Sequence, residues 1–386
     1  MGVVGCVCAH AEALRRAHGI EARLVRDMER DRLPIPTGWP VELNPPPFDG
    51  ELEGLADALA QHMNSALSPG ELVALRAEQV PLMPTNEDLA RDGAFHVEER
   101  TVPGPVGAPG VRLLVCRPSG ARGALPVLLH LHGGGLIMGS SRLGVDSLLP
   151  WAAELGLAVV SVEYRLAPEH PYPAALDDCF AALEWLAGHA EDIAIDPGRI
   201  VVTGVSGGGG LAAALCLFTR DRGGPRPLGQ VLLCPMLDDR NDSPSARQME
   251  GRGIWDRESN GTAWRHFLGG LHGSDDVPGY AAPARAEDLS GLPPAFLDVG
   301  SAETFRDEVV AHASRIWQAG GVAELHVWPG GFHGFDFAAP QAAVSREARA
   351  ARLRWLRRLL SNDSADSEDS AVSPAEPGPA PEGHRR

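Results

Sequence analysis

From residue 96 onward, apolar runs of strand length alternate with longer runs of helical periodicity. The strand-like runs are 111–116, 127–131, 158–162, 200–204, 231–233, 295–299 and 325–328. Helical spacing marks 145–154, 174–189, 208–220, 304–318 and 341–360. A strand that is apolar along its whole length has no face to give to water, so helices must cover both sides of the sheet it joins. Strands and helices in strict alternation therefore predict an α/β fold with a mostly parallel central sheet and helices on both faces. With 386 residues, the chain can build one large core and a lesser element.

Three regions stand apart from this pattern. Residues 1–95 read as amphipathic helices at 11–32, 51–63 and 68–79, broken by a Pro-rich stretch at 35–49. They carry no recognisable chemistry and are expected to form an N-terminal helical cap segment. Within the main domain, taken as 96–360, residues 238–286 are polar and glycine-rich and contain Trp255, Trp264 and Phe267. An interruption of that length is expected to be a cap or lid insertion. Residues 361–386 are Ser, Asp, Glu, Pro and Gly with almost no large apolar side chain, so they are expected to be a disordered acidic tail.

The chemistry is concentrated in three short motifs. Gly204-Val205-Ser206-Gly207-Gly208 follows an apolar run and precedes a helical one. This is the G-x-S-x-G nucleophile elbow in its required strand–turn–helix setting. The turn is sharp, so the residues two before and two after the serine must lack a Cβ, and Gly204 and Gly208 do. The helix that follows aims its positive N-terminal end at the reacting carbon. His132-Gly133-Gly134-Gly135 follows another apolar run. Gly133 and Gly134 are candidates to turn backbone N–H groups toward an oxyanion, with the Gly207 N–H as a third donor. A dinucleotide loop is the rival reading, but no G-x-G-x-x-G here is followed by a suitably placed acid. The third motif, Gly330-Gly331-Phe332-His333-Gly334-Phe335, places a histidine between glycines after the last apolar run and before the last helix. A triad built on such an elbow runs serine, acid, histidine along the chain, so an acid is needed between Ser206 and His333. Glu303 lies at the end of the 295–299 run, with Asp307 one helical turn later and Asp298 inside the run as alternatives. For each of these acids, helix capping or a surface charge pair is the plainer role. The matched motifs predict the α/β-hydrolase fold and covalent acyl transfer.

Other residues are weighed against simpler roles. His130 and His132 share a strand face and could form half a metal site, but no third ligand is evident. A hydrogen bond from His132 that holds the glycine loop is the simpler expectation. Leu136, Ile137, Met138, Trp255 and Trp264 are candidates for the substrate pocket wall, with core packing as the alternative.

Composition narrows the function further. The net charge of −17 argues against nucleic acid or an anionic membrane as partner. No lysine occurs anywhere in the chain, which removes Walker-type phosphate loops, Schiff-base chemistry and Ser-x-x-Lys nucleophiles. Of the six cysteines, Cys116, Cys179, Cys216 and Cys234 sit in apolar surroundings and read as small core residues, and Cys6 and Cys8 form an isolated C-x-C. The first eight residues lack a basic n-region and a sufficient apolar stretch for a signal peptide, and no transmembrane segment is found. A cytoplasmic protein with reduced thiols is expected.

The motifs, together with the run Tyr164-Arg165-Leu166-Ala167-Pro168-Glu169-His170-Pro171-Tyr172-Pro173-Ala174-Ala175-Leu176-Asp177-Asp178, resemble the hormone-sensitive-lipase-like family of bacterial esterases. The resemblance covers roughly residues 95–358. It implies Ser206 as nucleophile, His333 as base and Gly133, Gly134 and Gly207 as oxyanion donors. The family acid motif Asp-Pro-Leu-Arg-Asp-Glu stands in register with Glu303-Thr304-Phe305-Arg306-Asp307-Glu308, which places Glu303 on the acid position. Its elbow usually reads Gly-Asp-Ser-Ala-Gly-Gly, and Val205 and Gly207 depart from it. The family also implies a cap from the N-terminal helices and the insertion, and short acyl chains in the substrate. The expected function is hydrolysis of a small-molecule carboxylic ester through an acyl-enzyme, with no cofactor and no metal. An amidase, lactonase or deacetylase on the same residues stays open, as do a non-catalytic binding protein on this fold and a homo-oligomer.

Overall fold

The structure, a computed structural model, describes residues 43–60 and 67–370, the last nine of these as backbone only. The helix expected over 11–32, Cys6 and Cys8, and the tail beyond residue 370 lie outside the described residues. Eight strands form one sheet: β1 (Phe95–Val102), β2 (Val111–Pro118), β3 (Leu125–Leu131), β4 (Ala158–Glu163), β5 (Ile195–Val205), β6 (Gly229–Leu233), β7 (Ala295–Gly300) and β8 (Ala323–Trp328). Their spatial order is β1-β2-β4-β3-β5-β6-β7-β8. The pairs β1–β2 and β2–β4 are antiparallel, and every pairing from β4 across to β8 is parallel.

Described helices are α1 (Glu53–Ala60), α2 (Pro69–Gln79), α3 (Asn86–Ala90), α4 (Val145–Leu155), α5 (Ala174–Gly188), α6 (Gly207–Arg222), α7 (Pro244–Gln248), α8 (Arg257–Leu268), α9 (Arg306–Gln318), α10 (Phe335–Ala338) and α11 (Ala343–Ser370). Local sequence explains their starts. Ser68 and Glu71 cap α2 reciprocally, with Pro69 in the first turn. The Asp256 carboxylate caps α8 by accepting from the Ser259 N–H at 2.8 Å. Helix α11 continues to Ser370, ten residues past the boundary expected at 360.

The period-2 alternation of each strand divides the core in two. Leu113, Leu129, Val160, Val202, Leu232 and Leu297 point to one face, where Leu183 of α5, Leu215 of α6 and Ile316 of α9 cover them. Leu114, Leu128, Val159, Val201, Val231 and Phe296 point to the other, under Leu149 of α4 and Leu356 of α11. Strand β1 is absent from the sequence expectations. It is an edge strand buried only at Phe95 and Val102, and its charged middle carries no apolar run.

The parallel strands end in register, and this places the site. Leu131 of β3 pairs with Gly204 of β5, Val205 with Leu233 of β6, Leu233 with Asp298 of β7, and Gly300 with Trp328 of β8. The segments leaving these strands therefore emerge side by side. Strand β3 lies between β4 and β5, where the chain switches direction across the sheet, and open α/β sheets form their crevices at such points.

Candidate active site

Ser206 follows β5 directly and caps α6, with φ 57° and ψ −122°. Two hydrogen bonds hold this sparsely populated conformation. The Ser206 N–H donates to the Leu233 carbonyl at 2.9 Å, and the Met236 N–H donates to the Ser206 carbonyl at 3.0 Å. The turn leaves no room beside it. A Cβ at Gly204 would lie 2.1 Å from the Gly208 carbonyl oxygen, and one at Gly208 would lie 2.1 Å from the Leu131 carbonyl oxygen. These are the two glycines that the elbow argument requires.

Across this corner runs a chain of hydrogen bonds. His333 Nε2 lies 3.0 Å from Ser206 Oγ, and His333 Nδ1 lies 2.7 Å from Glu303 Oε1. The other Glu303 oxygen accepts from the Gly300 N–H at 3.0 Å, and the carboxylate is buried. Since the carboxylate can only accept, Nδ1 carries the proton and Nε2 is left to accept from the serine hydroxyl. The rival acids have other partners. Asp307 accepts from the Ser245 N–H at 2.8 Å and from Arg306 Nε at 2.8 Å. Asp298 is buried and accepts from Arg352 Nε at 2.7 Å and Trp328 Nε1 at 3.1 Å.

The glycine loop packs against the elbow. A Cβ at Gly133 would come within 3.7 Å of the Ser206 Cβ, and one at Gly207 within 2.9 Å of the Gly135 Cα. Gly134 has φ 110°, a backbone state that side chains rarely adopt. Among the described residues, no turn, loop or cap hydrogen bond engages the N–H groups of Gly133, Gly134 or Gly207. His132 stacks on Tyr164 with ring centroids 4.1 Å apart, and its Nδ1–H donates to the Gly133 carbonyl at 2.8 Å. The Tyr164 hydroxyl donates to the His132 carbonyl at 2.6 Å. Further along the same run, Arg165 forms a salt bridge with Asp178 at 2.8 Å, so this stretch braces the loop from behind.

Burial pushes His130 and His312 down to about 4, and the hydrogen bond from His130 to the Leu143 carbonyl only partly opposes it. His132 is lowered by burial as well. All three are neutral in the folded chain near pH 7, whereas an unfolded histidine titrates near 6.5. Below that value the unfolded state binds more protons, so stability is complete above pH 6.5 and falls as pH drops toward 4. Urea denaturation at stepped pH should show that decline across this window. A flat profile there would mean these rings are solvated.

A cavity of about 560 Å³ opens onto Ser206 and His333. Met138, Leu143, Val205, Ile254, Trp255 and Phe337 give it apolar walls. Of the residues expected there, Met138 and Trp255 reach it. Leu136, Ile137 and Trp264 do not line it: they are buried in the core, because the loop turns Leu136 and Ile137 back under the elbow and α8 presses Trp264 inward. Residues 238–286 deliver Trp255 to the site. A Cβ at Gly135 would lie 2.7 Å from the Trp255 ring, and Thr304 Oγ1 donates to the Trp255 carbonyl at 2.6 Å. From the N-terminal side, Arg76 of α2 donates to the Ile137 carbonyl at 2.7 Å and to the Ala167 carbonyl at 2.5 Å. No helix among the described residues is long and apolar enough to cross a membrane.

Comparison with known proteins agrees with this geometry. A family model described as the alpha/beta hydrolase fold matches residues 128–337. Esterase LipI of Mycobacterium tuberculosis is 34% identical over 75% of this chain and 88% of its own length. Carboxylesterase NlhH of the same organism is 37% identical over 69% of this chain and 83% of its own. The solved structure titled Bacterial Heroin Esterase superposes with a TM-score of 0.74 at 38% identity, covering 81% of this chain and 98% of that one. The chain therefore belongs to the α/β-hydrolase fold family, within its hormone-sensitive-lipase-like branch, and is a carboxylic ester hydrolase.

Proposed function

We propose that this hydrolase cleaves esters of short acyl chains through an acyl-enzyme on Ser206, with His333 as general base and Glu303 as the acid that orients it. The observation that carries the reading is the unbroken path from Glu303 Oε1 through the imidazole to Ser206 Oγ. His333 Nε2 takes the hydroxyl proton as Ser206 attacks the ester carbonyl, and Glu303 stabilises the imidazolium that forms. The N–H groups of Gly133, Gly134 and Gly207 receive the developing oxyanion, a type of contact worth about 10²–10³ in turnover per donor. His333 then protonates the departing alcohol and activates the water that frees the acid. The apolar walls and modest volume of the cavity favour a small acyl group over a long chain. Helices α1–α3 and residues 238–286 serve as its cover, a role supported by the Arg76 contacts and by Ile254 and Trp255 in the wall.

A panel of p-nitrophenyl esters tests both parts. The wild-type chain should show kcat/KM falling with acyl length. Glu303→Gln should lower kcat on every ester by about 10³–10⁴-fold, because the neutral amide no longer fixes the Nδ1–H tautomer. Asp307→Asn should stay close to wild type. The opposite ranking of the two variants would move the acid to Asp307, and a preference for the longest chains would overturn the small-acyl reading.

A further inference from the structure

Cys234 is the first residue past β6, and its sequence surroundings mark it only as a small core residue. Its backbone is left-handed, with φ 37°, an uncommon state for a residue other than glycine. Its N–H donates to the Asp298 carbonyl at 2.8 Å, which ties it to β7. The Cys234 Sγ, a Glu303 carboxylate oxygen and a His333 ring nitrogen all lie within 4.8 Å of one another. Nε2 faces Ser206 and Nδ1 faces Glu303, so Nδ1 is the nitrogen this trio offers.

Thiolate, imidazole and carboxylate together form a donor set suited to Zn²⁺ or Cd²⁺. Zinc bonds of roughly 2.0–2.3 Å set tetrahedral ligand atoms about 3.3–3.8 Å apart, so His333 Nδ1 and Glu303 Oε1, now 2.7 Å apart, must open to admit the ion. The loop around His333 can supply that movement, with Gly330 and Gly334 both at positive φ. His333 lines the substrate cavity while Cys234 and Glu303 lie buried behind it, so an ion would reach them past the imidazole.

We infer that Cys234, Glu303 and His333 form an inhibitory site for a soft divalent cation such as Zn²⁺, which locks the imidazole in the tautomer that cannot act as base. On binding, the thiol releases its proton to solvent and the imidazole proton passes from Nδ1 to Nε2. Metal–sulfur, metal–nitrogen and metal–oxygen bonds replace three metal–water bonds, and no electron changes hands. With Nε2 protonated, His333 donates toward Ser206 Oγ and can no longer accept its proton.

The inhibitory consequence rests on His333 serving Ser206, so the test includes an arm independent of turnover. Cd²⁺ is titrated into the full chain, Cys234→Ala and Cys234→Ser, and the ultraviolet charge-transfer absorption of cadmium thiolate is recorded as the difference between wild type and variant. That difference subtracts any contribution from the other five cysteines. Zn²⁺ inhibition of p-nitrophenyl acetate hydrolysis is measured on the same three proteins. Both variants should hydrolyse the ester at near wild-type rate without metal. Wild type should show the extra absorption, and the Zn²⁺ midpoint of Cys234→Ala should rise by at least about tenfold, since losing even an outer partner of a metal ligand costs about that much. Equal midpoints, or no difference spectrum against either variant, overturn the inference. If no ester is hydrolysed, the catalytic reading fails while the cadmium arm still decides the metal site.

Discussion

Ser206→Ala should lose about 10⁵–10⁶ of kcat on any ester the wild-type chain hydrolyses, with its urea midpoint unchanged. The substitution keeps the Cβ, so the elbow backbone at φ 57° meets the same sterics as before. Only the Oγ and its 3.0 Å contact with His333 Nε2 disappear. What survives is the contribution of binding and of the oxyanion donors, which exceeds plain water but falls far short of covalent catalysis. A fluorophosphonate probe should label the wild-type protein at the peptide containing Ser206 and leave the variant untouched. Turnover above about 1% of wild type would exclude Ser206 as nucleophile.

Arg352→Met should cost about 3–5 kcal/mol of stability, read as a shift in the urea midpoint. The Arg352 side chain lies 4% exposed between Asp298 of β7 and Asp336 of α10, with partners just as buried. Nε donates to Asp298 at 2.7 Å, and Nη1 donates to Asp336. Removing the guanidinium leaves Asp298 without its ion-pair partner in the core and Asp336 with only Arg349 Nε at 3.9 Å, a heavier penalty than losing the attraction itself. Combining Arg352→Met with Asp298→Asn and Asp336→Asn removes those charges and should recover much of the loss. The damage should also reach activity, because Asp336 lies three residues beyond His333 and Asp298 lies five residues before Glu303. A change below about 1 kcal/mol would mean that water already screens the network.

The sheet was legible because most of its strands are buried on both faces and so carry near-continuous apolar runs, as in β3 and β7, which His130 and Asp298 alone interrupt. Strand β1 lacked that signal because water covers its middle. The residues that meet at the elbow could be named from the chain because each lies beside glycines that only a tight backbone junction requires. Three acids competed near β7, and sequence spacing alone does not tell a carboxylate that faces an imidazole from one that faces Arg352, 54 residues away. The cavity wall was hardest to read. Trp255 and Trp264 both sit in residues 238–286, and only the folded path of α8 decides which ring meets the cavity. Cys234 was hidden for a related reason, since an apolar neighbourhood in sequence says nothing of the carboxylates brought to it from β7 and beyond.

The crowding at Gly204 and Gly208 sets where this enzyme can be re-engineered. Main-chain atoms already occupy the space into which new side chains would have to grow, so a selection library placed there would return mostly misfolded clones. Met138, Leu143, Ile254 and Phe337 border open volume instead, and diversity spent on those four positions can reshape acyl preference without disturbing the reacting centre.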